Sequence, residues 1–326
     1  MDAIKTFSIK KHASLLKRFP STGNQPNYRR QQAGWIVYGY HLSPRHFEDI
    51  QTFLGYECDV IDCWKVGDYE VAYVAGELTE RHTSILDALE LDYASAQDLP
   101  DLSQPGLIVM DMDSTAIQIE CIDEIAKLAG VGEQVAEVTE RAMQGELDFS
   151  ESLRQRVGAL KGADESILAQ VREALPFMPE LENLVLTLQK LGWKTAIASG
   201  GFTYFSDYLK EVLNLDYAQS NTLEITDGKL TGNVTGEIVS AETKADILVR
   251  LAEEHDIDLH NTVAVGDGAN DLVMMGAAGL GVAYHAKPKV QQQASVAVKY
   301  GNLGSVLCIL SASLLCQQKI SWKAKP

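Results

Sequence analysis

Residues 109–116 read VMDMDSTA. The apolar run LIVMD (107–111) ends on Asp111, Asp113 follows one residue later, and two hydroxyls come next. Two carboxylates this close resist joint ionisation, so a cation, a proton or a division of roles has to compensate them. A short apolar run that ends in acidic residues is also the pattern of a strand buried on both faces of a parallel sheet. KTAIAS (194–199), YAQSN (217–221), TVAVGD (262–267) and GVAY (281–284) repeat that pattern, with amphipathic helical stretches between them. The alternation predicts an α/β fold with a doubly wound parallel sheet over residues 107–326. Residues 121–190 contain no strand pattern and predict a helical cap inserted after the first strand. LEITDGKLTGNV (223–234) carries Asp227-Gly228 and predicts a surface hairpin.

Working upstream, GWIVYGYHL (34–42) alternates as a strand. SPRHFEDIQTFLG (43–55) has Ser43 as N-cap, Pro44 at the first helical position and Gly55 as terminator. YECDVIDCWKV (56–66) and YEVAYVAG (69–76) are strands split by Gly67-Asp68, LTERHTSILDALELD (78–92) is helical, and YASAQ (93–97) closes the unit. The order β-α-β-β-α-β predicts a small ferredoxin-like α+β domain over residues 34–98. Residues 99–106, with two prolines nearby in DLPDLSQPG (98–106), are expected to be a linker. Residues 1–33 are expected to be a basic, poorly ordered arm.

The chain has 326 residues, 46% apolar and 22% charged, the profile of a globular protein with ample core. Net charge is −17, which argues against a nucleic-acid partner. The first 32 residues carry net +6, leaving −23 for the remainder. Cys58, Cys63, Cys121, Cys308 and Cys316 form no metal-type CxxC pair and are odd in number, which fits free thiols in a reducing cytoplasm. SVLCILSASLLC (305–316) is too short to span a bilayer and reads as a core helix.

In an open parallel sheet, ligands sit at the carboxyl ends of the strands. Asp111 and Asp113 stand at one such end, Ser199-Gly200-Gly201 at another, and Asp267 with Gly268, Asn270 and Asp271 at a third. Lys244 lies near the start of the predicted helix AETKADILVRLAEEH (241–255). Each has an ordinary reading alone: the aspartate pair as surface charge, Ser199 as a helix cap, Lys244 as a surface lysine, GDGAND as a tight turn. In this order and at these places they form the equipment of phosphoryl transfer. Lys244 supplies charge to a phosphate, and Gly200-Gly201, expected to open the next helix, supply backbone amides. Asp111, Asp113 and Asp267 form a hard-oxygen set suited to one Mg²⁺. A metal-held aspartate can attack phosphorus while its neighbour moves protons.

DMDST (111–115), ASGG (198–201), Lys244 and GDGAND (266–271) resemble the signature of the haloacid dehalogenase superfamily, over about residues 107–290. Within it, QIECIDEIA (118–126), RAMQGELDFSESLRQRV (141–157) and SGGFT (199–203) resemble the phosphoserine phosphatase family. The resemblance implies Mg²⁺-dependent hydrolysis of O-phospho-L-serine through an aspartyl-phosphate, the last step of serine biosynthesis. It implies Asp111 as nucleophile, Asp113 as general acid and base and as a main-chain metal ligand, and Asp267 as the further metal ligand. Ser199, Gly200, Lys244 and Asn270 would hold phosphate, with Asp271 in support. Glu120 would meet the substrate ammonium, Arg156 its carboxylate, and Met143 and Phe149 would form an apolar lid. The N-terminal module resembles the ACT-type modules of bacterial members. No membrane partner is expected, and a homodimer is favoured on base rates. Two other readings fit the residues: a phosphatase for another small phosphate ester, and a receiver-type signalling domain that keeps its phosphoryl group.

Overall fold

The computed structural model of the chain describes residues 5–19, 34–144 and 146–321. Two sheets organise them. The smaller comprises β1 (Ile9–Lys10), α1 (Ala13–Arg18), β2 (Gly34–Gly39), α2 (Pro44–Leu54), β3 (Val60–Val66), β4 (Tyr69–Ala75), α3 (Glu80–Ala88) and β5 (Asp92–Ser95). Its strands lie antiparallel in the order β1-β3-β4-β2-β5. From β2 to β5 this is the ferredoxin-like arrangement expected from the sequence. The local signals of α2 act as read: Ser43 Oγ accepts from the His46 amide at 3.3 Å, and Gly55 ends the helix at φ 82°.

The basic arm is corrected in part. Ile9 pairs with Val66, and α1 buries Leu15 and Phe19 against the small domain. Arg18 is held by Glu70 at 2.5 Å, and Lys11 pairs with Asp62. Apolar residues between the lysines supply this anchorage. The other residues of the arm, 1–4 and 20–33, lie outside the described residues.

The larger sheet begins with β6 (Leu107–Met110). The cap helices follow: α4 (Cys121–Leu128), α5 (Gly132–Met143), α6 (Phe149–Ala159) and α7 (Ser166–Glu173). Then come α8 (Leu181–Lys190), β7 (Lys194–Phe202), α9 (Thr203–Leu213), β8 (Tyr217–Thr226), β9 (Lys229–Thr235) and α10 (Ala241–Glu254). The chain closes with β10 (Thr262–Gly266), α11 (Leu272–Ala277), β11 (Leu280–Tyr284), α12 (Pro288–Gln291), β12 (Val296–Val298) and α13 (Ser305–Cys316). Strand order is β12-β11-β10-β6-β7-β8-β9, parallel from β12 to β8, with β9 returning antiparallel. Alternation along β6 shows why both faces are covered. Ile108 and Met110 enter the core that holds α8, α9 and α13, while Leu107 and Val109 enter the one that holds α10 and α11.

Three expectations change. Helix α8, read as part of the cap, buries Leu181, Leu184 and Leu188 against the sheet, so the cap proper ends with α7. An amphipathic helix looks the same from sequence whether its apolar face meets a cap or a sheet. The 99–106 linker is pinned: Leu102 is fully buried, and Asn261 Nδ2 donates to the Pro105 carbonyl at 2.7 Å. The hairpin β8–β9 turns at Asp227-Gly228 (φ 50° and 74°), yet it also grips the cap. The Glu165 amide donates to Gly228 at 2.9 Å, and Leu230 exchanges backbone bonds with Ala163 and Gly162.

Helix α13 joins the two sheets. It is apolar on all sides and sits in the one core that also contains Ile36, Tyr38, Trp64 and Val71 of the small domain. Trp64 Nε1 donates to Ser311 Oγ at 2.8 Å. No described helix is long and apolar enough to cross a membrane.

Candidate active site

The carboxyl ends of β6, β7 and β10 meet under the cap around a cavity of about 760 Å³. Its walls include Asp111, Asp113, Ser199, Gly200, Asp267 and Asn270 from the sheet side, and Glu120, Phe149 and Arg156 from the cap side. All of these were singled out from the sequence. Asp148 caps α6 reciprocally with Glu151, which fixes the helix start (2.8 and 3.2 Å). Phe149, Ser152, Leu153 and Arg156, at helical spacing, then share the face that lines the cavity. Met143 ends α5, and its side chain lies outside the described residues.

Lys244 is the buried cation beneath the cavity. It is 1% exposed, with Nζ 2.9 Å from Asp111 Oδ2 and 2.7 Å from Asp271 Oδ1. It reaches the site from α10, which Ser240 caps by accepting from the Thr243 amide. Burial alone would lower the pKa of Lys244, but Asp111 and Asp271 raise it above the ordinary lysine range, so it stays an ammonium. Asp271 spends its other oxygen on the Gly268 amide at 3.0 Å. Burial and then Asp111 push its pKa up to about 6 against the pull of Lys244.

Asp113 lines the same cavity. Its Oδ1 accepts from the Cys121 amide at 3.3 Å. Burial, followed by the nearby Glu120 and Asp111, holds its pKa well above that of a free aspartate. Such a carboxyl can carry a proton at neutral pH, the property an acid–base group needs.

Among the described residues, five carboxylates (Asp111, Asp113, Glu120, Asp267 and Asp271) and four cations (Lys244, Arg156, Lys287 and Lys289) stand in or against the cavity. Asp111, Asp267 and Asp271 bring oxygens within 4.8 Å of one another. Burial, then Asp111 and Asp271, raise the Asp267 pKa to about 7. Hard oxygens with excess negative charge in a low-dielectric cleft suit a divalent cation such as Mg²⁺. Asp271 is already engaged with Lys244 and Gly268, so Asp111 and Asp267 are the carboxylates best placed to hold it. The side chain of Asp113 is outside this trio.

The glycine turn differs from expectation. Gly200 and Gly201 do not open α9; they extend β7 through a register shift, and Phe202 is the N-cap residue. Ser199 Oγ therefore accepts from the Gly201 amide at 3.0 Å and caps no helix. Close approach favours glycine at both places. A Cβ on Gly200 would lie 2.6 Å from Phe149 Cζ, and one on Gly201 would lie 2.6 Å from Met112 Cε and 2.7 Å from Asp113 Oδ2.

Two functional candidates escaped the sequence reading. Asn221, 2% exposed, donates to the Gly200 carbonyl at 2.8 Å and accepts from the Val239 amide at 2.9 Å. It thus ties the glycine turn to the segment that leads into α10 and Lys244. Its one sequence signal is an amide at the end of an otherwise ordinary strand pattern. Buried Thr115 donates to Asp267 Oδ1 at 3.1 Å and sits in DMDST, where the sequence shows its hydroxyl but gives it no role. Arg156 Nε is buried with no partner among the described residues. Glu120 is held by Ser114 Oγ at 2.7 Å.

Comparison with known proteins agrees with this geometry. Residues 105–279 match the haloacid dehalogenase-like hydrolase family, and residues 31–95 match a domain of unknown function, DUF5609. Kinship to ACT-type modules therefore gains no support beyond strand order. The chain is 68% identical over 326 residues to a phosphoserine phosphatase of Vibrio cholerae, covering 100% of this chain and 99% of that one. An unliganded crystal structure of a probable phosphoserine phosphatase from Vibrio cholerae superposes with a TM-score of 0.91 over 99% of this chain and 100% of that one. A phosphoserine phosphatase solved as a phospho-aspartyl intermediate analogue is 41% identical and has a TM-score of 0.60, covering 63% of this chain and 98% of that one. The chain belongs to the phosphoserine phosphatases, within the haloacid dehalogenase-like hydrolases.

Proposed function

We propose that the chain hydrolyses O-phospho-L-serine to L-serine and phosphate. The observation that carries this reading is the two-ended cavity. A phosphate-binding floor of Asp111, Ser199, Gly200 and Lys244 faces a wall where the Arg156 guanidinium and the Glu120 carboxylate stand ready for an amino acid. Arg156 pairs with the substrate carboxylate, which fills the valence its Nε leaves open. Glu120, steadied by Ser114, accepts from the ammonium. Phe149 closes on Gly200 and keeps water from the reacting centre.

In the first step an Asp111 oxygen attacks phosphorus and the bond from phosphorus to the serine oxygen breaks. Asp113 gives its proton to that oxygen, releasing L-serine. Asp113 then takes a proton from water, whose oxygen attacks the phosphorus of the aspartyl-phosphate. The bond to Asp111 breaks, and phosphate leaves. Lys244, Ser199, the Gly200 amide and Asn270 hold the oxygens of the transferring phosphoryl group, and Asp271 holds Lys244. Mg²⁺, held by Asp111, the Asp113 main chain and Asp267, would draw charge from the phosphate and keep Asp111 ionised.

The reading includes a place at the end of serine biosynthesis and a reducing cytoplasm, in keeping with Cys58, Cys63, Cys121 and Cys308 being free and buried. The test is phosphate release from L-phosphoserine, phosphothreonine and sugar phosphates, each with Mg²⁺ and after EDTA. Selective, Mg²⁺-restored release from phosphoserine is expected. Equal rates on all esters, or a phosphorylated protein that persists for minutes, would overturn it.

A further inference from the structure

Between core and cap the chain passes twice, at residues 116–119 and 176–180. The two passages pair with each other: Met178 donates to the Ala116 carbonyl at 2.9 Å, and Gln118 to that of Pro176 at 2.9 Å. The return passage ends at Glu180, the N-cap of α8, with φ 69° and ψ 6°. A left-handed conformation is costly for a residue with a Cβ, and it persists where the surroundings over-determine it.

The surroundings here come from the small domain. Tyr69 of β4 donates its hydroxyl to Glu180 Oε2 at 2.8 Å, and the Tyr40 hydroxyl lies 3.1 Å from Oε1 and 2.8 Å from that of Tyr69. The two rings stack at 4.4 Å. Core residues 302–304 complete the ring of bonds. Asn302 donates to both tyrosine hydroxyls (2.9 and 2.7 Å), and the Gly304 amide donates to Glu180 Oε2 at 3.1 Å. The arm holds the same helix further on. The Phe7 amide donates to Thr187 Oγ1 at 2.9 Å, and Asn183 donates to the Lys5 carbonyl at 2.6 Å.

We propose that the small domain, whose matched family carries no assigned function, is a clamp on the cap's return joint, with Tyr40, Tyr69 and Glu180 as positioning residues for the cap. None of the three lines the cavity; they act through the joint. The cap side carries Phe149 and Arg156, whereas the floor carries Asp111 and Ser199, with Lys244 against Asp111. A loosened joint therefore impairs recognition of the amino-acid end more than the phosphate chemistry of the floor. This inference rests on the phosphoserine reading for its kinetic half only.

The test uses the full chain with Tyr40→Phe and Tyr69→Phe combined, which keeps the stacked rings and removes both hydroxyls. KM for phosphoserine should rise about fivefold or more, while hydrolysis of p-nitrophenyl phosphate, which lacks the amino-acid groups, stays within about twofold. Amide exchange at residues 116–119 and 176–180 should quicken. In a Glu180→Gly background, where glycine adopts φ 69° without strain and the carboxylate that the tyrosines hold is gone, the same pair of changes should add nothing further to KM or to exchange at the joint. Unchanged exchange at the joint, equal losses on both substrates, or additivity with Glu180→Gly would each overturn the clamp. A wild-type chain inert toward phosphoserine would overturn the substrate reading instead, and the exchange experiment would still decide the clamp.

Discussion

Replacing Lys244 by Met keeps the alkyl stem and deletes the charge. The ammonium is 1% exposed and touches two carboxylates at 2.9 and 2.7 Å, so its loss strands Asp111 and Asp271 in a dry pocket. Breaking a buried pair by removing one partner costs about 3–5 kcal/mol, which for a chain of this size lowers Tm by roughly 4–7 °C. The deficit depends on pH with a definite sign. The folded pKa of Asp271, about 6, already exceeds the unfolded aspartate value of about 3.9. The stability this group contributes is therefore present at low pH and is lost as pH rises through that window. Without Lys244 the folded value climbs further, so the gap between variant and wild type widens between about pH 5 and pH 8. Calorimetry of metal-free protein across that range reads the gap, and phosphate release reads activity, which should fall at least about 100-fold. A Tm within about 2 °C of wild type at pH 8, with activity within about tenfold, would refute the assignment of Lys244 as the charge that organises the floor.

Arg156→Ala removes a charge-assisted contact worth about 1.5–3 kcal/mol, so KM for phosphoserine should rise about 10- to 150-fold while p-nitrophenyl phosphate is spared; equal effects on both would remove Arg156 from substrate recognition. Gly201→Ala places a methyl 2.7 Å from Asp113 Oδ2 and 2.6 Å from Met112 Cε, and should cost about 1–3 kcal/mol of stability and more than about tenfold in kcat; a fully active variant would show that Asp113 need not stay where it is. At Glu70, burial raises the pKa, but the Leu42 amide, Arg18 and Lys65 outweigh it and leave it lowered. Its support for α1 is therefore full above the unfolded carboxylate value of about 4.3 and lost as pH falls below it. Amide protection at residues 13–18, with the intrinsic pH dependence of exchange divided out, should fall on acidification from pH 5 to pH 3, and no change would detach Glu70 from that role.

What the sequence reveals follows from how local each signal is. Asp111 and Asp267 each follow their own strand at once, Ser199 lies near the carboxyl end of β7, and parallel topology alone brings such ends together. Helix α2 is legible for the same reason, because cap, first-turn proline and terminator all lie within one quoted stretch. Other features depend on partners far apart in sequence. Tyr69 and Glu180 are 111 residues apart, and Trp64 and Ser311 are 247 apart. No periodicity announces such pairs. Strands β1 and β12, of two and three residues, are too short to alternate visibly. Helix α13 is apolar all round, so its pattern indicates burial without saying that the two domains share it. Gly200-Gly201 read as a helix start because strand extensions and helix entries both use glycine where another chain comes close.

Rapid-quench mixing with ³²P-labelled phosphoserine tests the central step most directly. Acid quenching within one turnover should yield a hydroxylamine-labile phosphoryl group on the peptide containing Asp111, and Asp111→Asn should show neither label nor turnover. Label on another residue, or phosphate release by Asp111→Asn, would contradict the account.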